Sequence, residues 1–538
     1  MPLPSRTRRR LLRHLGTLGA LGATAAGMAG AARTAATSAS ADLCTTPPRF
    51  DTPLLVPRGD GVMGRLTLGN RRVALRAAPY GNHGALAFVT RVDRRDYFDP
   101  TLVARTGDSV RITLANSMDE PTIAHWHGLT IDTANDGSGD VLVAPGRTID
   151  YAFTVRNRAG LYWYHPHPHG ATAGQAYRGL FGLIAVEDDE ELALRRTLQL
   201  APGETEIPLV LHDRRSTTPL QYAASVEDLL HGWYGDEILV NFTPRPFLDV
   251  TARRYRFRVL NASNARIFRL GLSRDNGAPM PFLLIGTDGG LLEEPIAVTE
   301  LFLAPAERAD LLVDFVDLSV GGFVLLESRA FDPMHAELRP RRSSESPDEG
   351  HAHAAPANGA VSSGSDGGAF AMLQFRIRGR AETRPPLPAR LSVPVVQPAP
   401  GGDERPLRLG FAKGRWRIND RVYDMNATPI VVARAAVETW LIRNYHSSMP
   451  HAMHLHGFQF RVIERETSPE QLAPLVIDAR GRLATDLGWK DTVLVWPGES
   501  VRIAIDFRHP FAGDQIYLFH CHNLEHEDGG MMLRVKVA

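Results

Sequence analysis

The chain has 538 residues, 43% hydrophobic and 22% charged, and its 60 basic and 60 acidic side chains cancel. This is ordinary globular composition, long enough for about three domains. A balanced charge with no long basic stripe argues against nucleic acid or an anionic membrane surface as partner.

The N-terminus stands apart. Thr7-Arg8-Arg9-Arg10-Leu11-Leu12-Arg13 is a twin-arginine pattern, a weakly apolar Gly/Ala/Leu stretch follows, and Ala39-Ser40-Ala41 suits a small-residue cleavage site. Residues 1–41 therefore read as a signal peptide for the export route that carries folded proteins (Tat), which places the mature protein in the periplasm or outside the cell. No later segment reaches the ~20 apolar residues that a spanning helix needs. An oxidising compartment permits disulfides, yet the chain holds two cysteines, Cys44 and Cys521. Cys44 is given no role.

Strand signals dominate the rest. "SVRITLAN", "RYRFRVLNAS", "VETWLIRN" and "SVRIAIDF" alternate apolar and polar residues, which predicts strands with one buried and one wet face. Helical pattern is scarce; "SVEDLLHGWYG" near residue 230 predicts a short helix. A weak repeat is visible: a strand ending in Asn occurs at Asn116, Asn261 and Asn444. Each copy is followed by a turn and another strand, "VAPGRTIDYAF", "LAPAERADLLVDF" and "VWPGESVRIAIDF". This divides the chain into three related β-sandwich domains at 42–195, 196–380 and 405–538. Residues 335–368 are poor in large apolar side chains and read as a loose insertion in the second domain. Its His351 and His353 read as solvated. Residues 381–404 form a Pro-rich linker.

The first and third copies carry His-x-His clusters: "HWHG" (His125, His127), "WYHPHPHG" (His165, His167, His169), "HAMHLHG" (His451, His454, His456) and "HCHNLEHEDGGM" (His520, Cys521, His522, His526, Met531). On a strand, residues i and i+2 point to the same side. Four such pairs offer eight imidazoles to one place between two domains, enough for three copper ions with open positions. Cys521 lies between His520 and His522 and so points the other way, toward a different metal. A thiolate with two histidines and a weak Met is the blue-copper donor set, here His451, Cys521, His526 and Met531.

With all four motifs complete, the chain resembles a three-domain multicopper oxidase, the group of laccases, copper-efflux oxidases, spore-coat laccases and bilirubin oxidases. "GWKDTV" and "HCHNLEHEDGGMM" are most similar to the bacterial efflux and spore-coat branch. The resemblance implies an all-β fold of three consecutive cupredoxin-like Greek-key sandwiches and four copper ions. It assigns one type 1 copper to the blue-copper set and one type 2 copper to His125 and His454. It assigns a type 3 pair to His127, His165, His167, His456, His520 and His522, and leaves His169 outside the ligand set. It also points to Asp136 and Glu527 as the acids that deliver protons to O2, and Asp491 is expected to orient a ligating histidine.

The donor follows from what is missing. The Met-rich segment by which efflux enzymes cover the type 1 copper is absent from "LRLGFAKGRWRINDRVYDMN", and Ser447 and Ser448 stand where those enzymes carry an acid and another Met. An uncovered type 1 site is expected, with phenols and aromatic amines as donors and O2 as acceptor. Cuprous oxidation is the alternative. Relatives that have lost their copper ligands and serve structural or division roles are disfavoured by the complete ligand set. The expectation is a monomer.

Overall fold

The computed structural model describes residues 49–335, 366–381, 383–394 and 404–538. The proposed signal peptide, Cys44, His351 and His353, most of the 335–368 insertion and part of the 381–404 linker lie outside the described residues. No helix among the described residues is long and apolar enough to cross a membrane.

The described residues build six sheets that pack in pairs as three sandwiches. Each sandwich closes over its own apolar cluster, with Trp126, Ile112 and Tyr164 in the first, Phe257, Phe375 and Leu284 in the second, and Trp440, Phe519 and Ile503 in the third. The pairing is not wholly sequential. The strand Thr52–Pro53, ahead of the first sandwich, runs parallel to Pro246–Ala252 in a sheet of the second.

Alternation predicts Ser109–Asn116 well, since Val110, Ile112, Leu114 and Asn116 are buried. It fails for Arg254–Asn261. There the face expected to be wet is buried too, because the helix Asp189–Thr197 brings Glu191 over it. Arg256 is 0% exposed and pairs with Glu191, Glu206 and Asp310. Buried charges of this kind persist only when paired.

The repeated Asn has one job in all three sandwiches. Its side-chain amide donates to the loop that follows and to a carbonyl outside its own sheet: Asn116 to Glu120 O and Val143 O, Asn261 to Arg266 O and Leu303 O, Asn444 to Met449 O and Val495 O. Its backbone carbonyl accepts from Gly146, Ala306 and Gly498 respectively. Each donating turn has Pro followed by a residue at positive φ, +73°, +70° and +79°. That is the type II geometry, which favours glycine at its third position. Ala306 stands there without that freedom.

Gly146 is exposed and a Cβ there would touch nothing. Gly146→Ala should therefore lose about 1 kcal/mol from backbone strain alone. Gly498→Ala should lose more, since its Cβ would fall 2.5 Å from His446 Nδ1. Denaturant midpoints of the two variants check the order.

Candidate metal centre

Strands from the first and third sandwiches carry the histidines. In the first, Ala124–His127 lies beside Gly160–Pro166 with His125 opposite His165. In the third, His451–Leu455 lies beside Gln515–Cys521 with His454 opposite His520 and Met453 opposite Cys521. The pleat turns alternate side chains to one face, so each His-x-His presents two rings together. The two sets meet face to face: His125 stacks on His456 at 3.8 Å between ring centres and His127 on His454 at 3.7 Å.

Donor atoms within 4.8 Å of one another fall into groups: His125, His127 and His454; His127, His165 and His522; His167, His456 and His520. Asp136 joins His125 and His456 in another. His451, Cys521 and His526 form a separate one.

The hydrogen bond at one ring nitrogen decides which nitrogen faces the cluster. His125 Nδ1 donates to the Asp136 carbonyl and His454 Nδ1 to the Asp491 carbonyl, both at 2.8 Å, leaving each Nε2 inward. His127 is turned the other way, with Nε2 on Asp491 Oδ1 at 3.1 Å and Nδ1 3.4 Å from His165 Nε2. His456 Nδ1 donates to Asp136 Oδ2 at 2.8 Å, which sets its Nε2 3.0 Å from His520 Nε2.

These atoms fit a cation. The inward Nε2 of His125 and His454, and both ring nitrogens of His167 and His522, are buried without a hydrogen bond. Burial holds the imidazoles neutral, with His165 lowered to about 4 and His520 to about 3, the state in which they coordinate a metal. Convergent lone pairs without protons are costly in a dry interior unless an ion takes them up.

The second group is also dry. Cys521 Sγ lies 3.6 Å from Nδ1 of both His451 and His526. Burial pushes its thiol up to about 12, so a cation has to draw the proton off. Met531 is fully buried in the same core, and its carbonyl accepts from the Cys521 N–H at 3.1 Å.

The expected open type 1 site is corrected here. His526 is 1% exposed and its Nε2 donates to the Leu230 carbonyl at 3.0 Å. Leu230 belongs to the predicted short helix, Val226–His231, which starts on a capping box between Ser225 and Asp228. Trp416 lies 4.7 Å from the His451 ring and 5.1 Å from the His526 ring, and its Nε1–H donates to the same Leu230 carbonyl at 2.8 Å. Ser448 Oγ lies 3.2 Å from His451 Nε2. Sequence reasoning missed Trp416, Leu230 and this role of Ser448, since no motif marks them.

Two carboxyls besides Asp491 lie against the cluster. Asp136 Oδ1 is 3.6 Å from His125 Nδ1, in addition to its bond to His456. Glu527 is 3.5 Å from His167 Nε2 and 3.3 Å from His520 Nδ1. Burial pushes both well above the usual carboxyl range, helped by Asp140 and Asp132 for the first and Asp528 for the second. His169 stays outside the donor groups, with Nε2 on Ser138 O at 2.7 Å and its ring against Tyr423.

Asp491 does more than orient one ring. It holds His127 by its carboxylate and His454 by its carbonyl, and Arg308 of the second sandwich holds it in turn, Nη1 to Oδ1 at 2.7 Å. Gly128, at φ +84°, lets these groups close up: a Cβ would stand 2.5 Å from Asp491 Oδ2 and 3.0 Å from Arg308 Nη2.

Comparison with known proteins agrees with this geometry. Family models described as multicopper oxidase match residues 399–538 and 89–191. The multicopper oxidase mco of Staphylococcus aureus is 30% identical over 444 residues, 82% of each chain. The chain belongs to the multicopper oxidase family. A laccase of Bacillus subtilis is 30% identical over 76% of this oxidase and 78% of its own length. The crystal structure of the McoA multicopper oxidase from Aquifex aeolicus superposes with a TM-score of 0.76 at 34% identity, covering 90% of this chain and 100% of that one. The oxidase is a copper-dependent oxidoreductase, laccase-like, that uses O2 as acceptor.

Asp491→Asn keeps the shape but leaves Arg308 buried against a neutral amide. Breaking a buried pair costs about 3–5 kcal/mol, and losing a ligand's orienting partner weakens metal binding about 10–100-fold. The variant should unfold at lower temperature and retain less copper per chain, as read by thermal denaturation and elemental analysis.

Proposed function

We propose that this oxidase is a laccase that takes single electrons from phenols and aromatic amines and reduces O2 to two waters. Four electrons and four protons balance each O2. The observation that carries the reading is Cys521: its thiol faces His451 and His526, while its neighbours His520 and His522 face the eight-histidine cluster. One strand thus touches both donor groups, and covalent bonds join them.

On this reading His451, Cys521, His526 and Met531 hold a type 1 copper. His125 and His454 hold a type 2 copper, and His127, His165, His167, His456, His520 and His522 a type 3 pair. Bound copper supplies one-electron redox chemistry and a place for O2. The chain supplies the rest. Asp136 and Glu527 hold protons beside the cluster and give them to the reduced oxygen atoms. Asp491 and Asp136 fix the rings of His127, His454 and His456. Apolar packing around Cys521 keeps water from the type 1 group. The twin-arginine N-terminus supports export to the periplasm or beyond, with the mature protein acting as a monomer.

Oxygen uptake by the mature, copper-loaded protein tests the donor. Fast uptake with a methoxyphenol and slow uptake with Cu(I) is expected. The reverse makes the protein a cuprous oxidase, and no uptake with either at full copper loading makes it a binding or structural protein.

The acids give a signed pH dependence. Both carboxyls are raised, so each donates a proton below its raised pKa and loses that capacity above it. Oxygen reduction should hold level at acid pH and fall as pH rises through those values. Asp136→Asn and Glu527→Gln carry no transferable proton and should slow oxygen reduction about 10²–10⁴-fold at acid pH. Anaerobic bleaching of the blue band by the donor should be unchanged in both.

A further inference from the structure

We propose that donors do not touch the type 1 histidine but dock on an aromatic face beside it, made by Phe411 and Leu229 and backed by Trp416. The inference rests on the laccase reading and names where its donor sits.

Three observations converge on this face. First, the outward nitrogen of His526, the atom a phenol hydroxyl would otherwise meet, already donates to the Leu230 carbonyl. That carbonyl also takes the Trp416 N–H, so helix and indole lock each other in place over both type 1 imidazoles. Second, Phe411 is the one exposed Phe, Tyr or Trp among the described residues, at 40%. It is the cross-strand partner of Trp416, with ring centres 4.9 Å apart. Third, the neighbour of Leu230, Leu229, is 46% exposed, and Val226 on the same short helix is 82% exposed. The two elements that cover the type 1 imidazoles, the helix through Leu230 and the hairpin through Trp416, thus each also carry exposed apolar groups. A planar, weakly charged ring is the partner such a face suits, because stacking and edge contacts add to apolar burial.

Trp416 is then a positioning residue. Buried at 3% exposure, it packs against Phe411 on one side and against the His451 and His526 rings on the other, so a ring docked on Phe411 is joined to them through packed aromatic rings while water is kept out. A phenol docked there loses one electron to the metal group and its hydroxyl proton to the surrounding water, leaving as a phenoxyl radical. No contact with His526 is needed, so the size of the donor is not limited by the cover.

The probe is 1,2-dimethoxybenzene, which has the donor's shape and no phenolic proton, bound to the copper-loaded protein and read by tryptophan fluorescence. Phe411→Ala and Leu229→Ala should each weaken its binding about 3- to 10-fold, and raise KM for methoxyphenol by the same factor with kcat unchanged. Val320→Ala, an equally exposed site elsewhere at 52%, should change neither. The blue band should be unaltered in all three. Wild-type binding in Phe411→Ala overturns the proposal. So does faster hydrogen exchange of residues 226–231 when the probe binds, which would mean that the ligand displaces the helix to reach His526. If the wild type binds the probe at Phe411 but oxidises no phenol, the laccase reading fails and the face stands.

Discussion

One buried ion pair holds the three sandwiches in register. Arg308 from the second grips Asp491 from the third, and Asp491 grips His127 from the first. All five guanidinium donors are used: Leu161 O, Ala306 O, Asp288 O and both oxygens of Asp491. Asp288 then accepts from the backbone of Arg308, Asp491 and Thr492 and from Lys490 Nζ. A buried pair contributes little net stability once its desolvation is counted. Its value here is geometric. A planar fork with no spare donor admits one arrangement of three bodies, and the cluster histidines come from two of them.

That division of labour accounts for the middle sandwich. It keeps the strand, the Asn and the Pro turn of its sisters, because Asn261 still ties its strand and the loop that follows to the facing sheet. It carries none of the clustered histidines, because the cluster forms where the first and third sandwiches face each other. Its own contributions are Arg308, the Leu230 carbonyl, and Asn264 and Tyr222, which bond Glu525, the residue before His526. The second repeat kept the frame and gave its variable positions to clamping and covering.

What could be read from the sequence was what repeats over short spacing. His-x-His places two rings on one face of a strand wherever that strand lies, so the convergence of eight imidazoles followed from period two. Cys521 followed in the same way, one residue out of phase. What could not be read lies at long separation and has no period. Trp416 meets Leu230 across 186 residues and Arg308 meets Asp491 across 183, and nothing local marks either. The wet face assigned to Arg254–Asn261 failed for the same reason, since alternation reports side-chain direction and not what packs there. The missing methionine segment misled in a further way. It removed one cover, and an unrelated helix supplies another.

The two donor groups answer opposite demands with the same means. Both need a dry interior, which keeps imidazoles neutral and the thiol protonated until a metal takes its place. The cluster of an O2-reducing site must also admit protons, and two carboxyls that burial makes hold their protons, Asp136 and Glu527, stand beside it without opening it to bulk water. The Cys521 group, on the proposed reading, must admit electrons only. An electron crosses a packed ring and a water molecule does not, so a cover of indole and backbone carbonyl passes one and stops the other. Closing His526 is therefore compatible with turnover, provided that the cover is thin and aromatic on its outer side, which is where Phe411 lies.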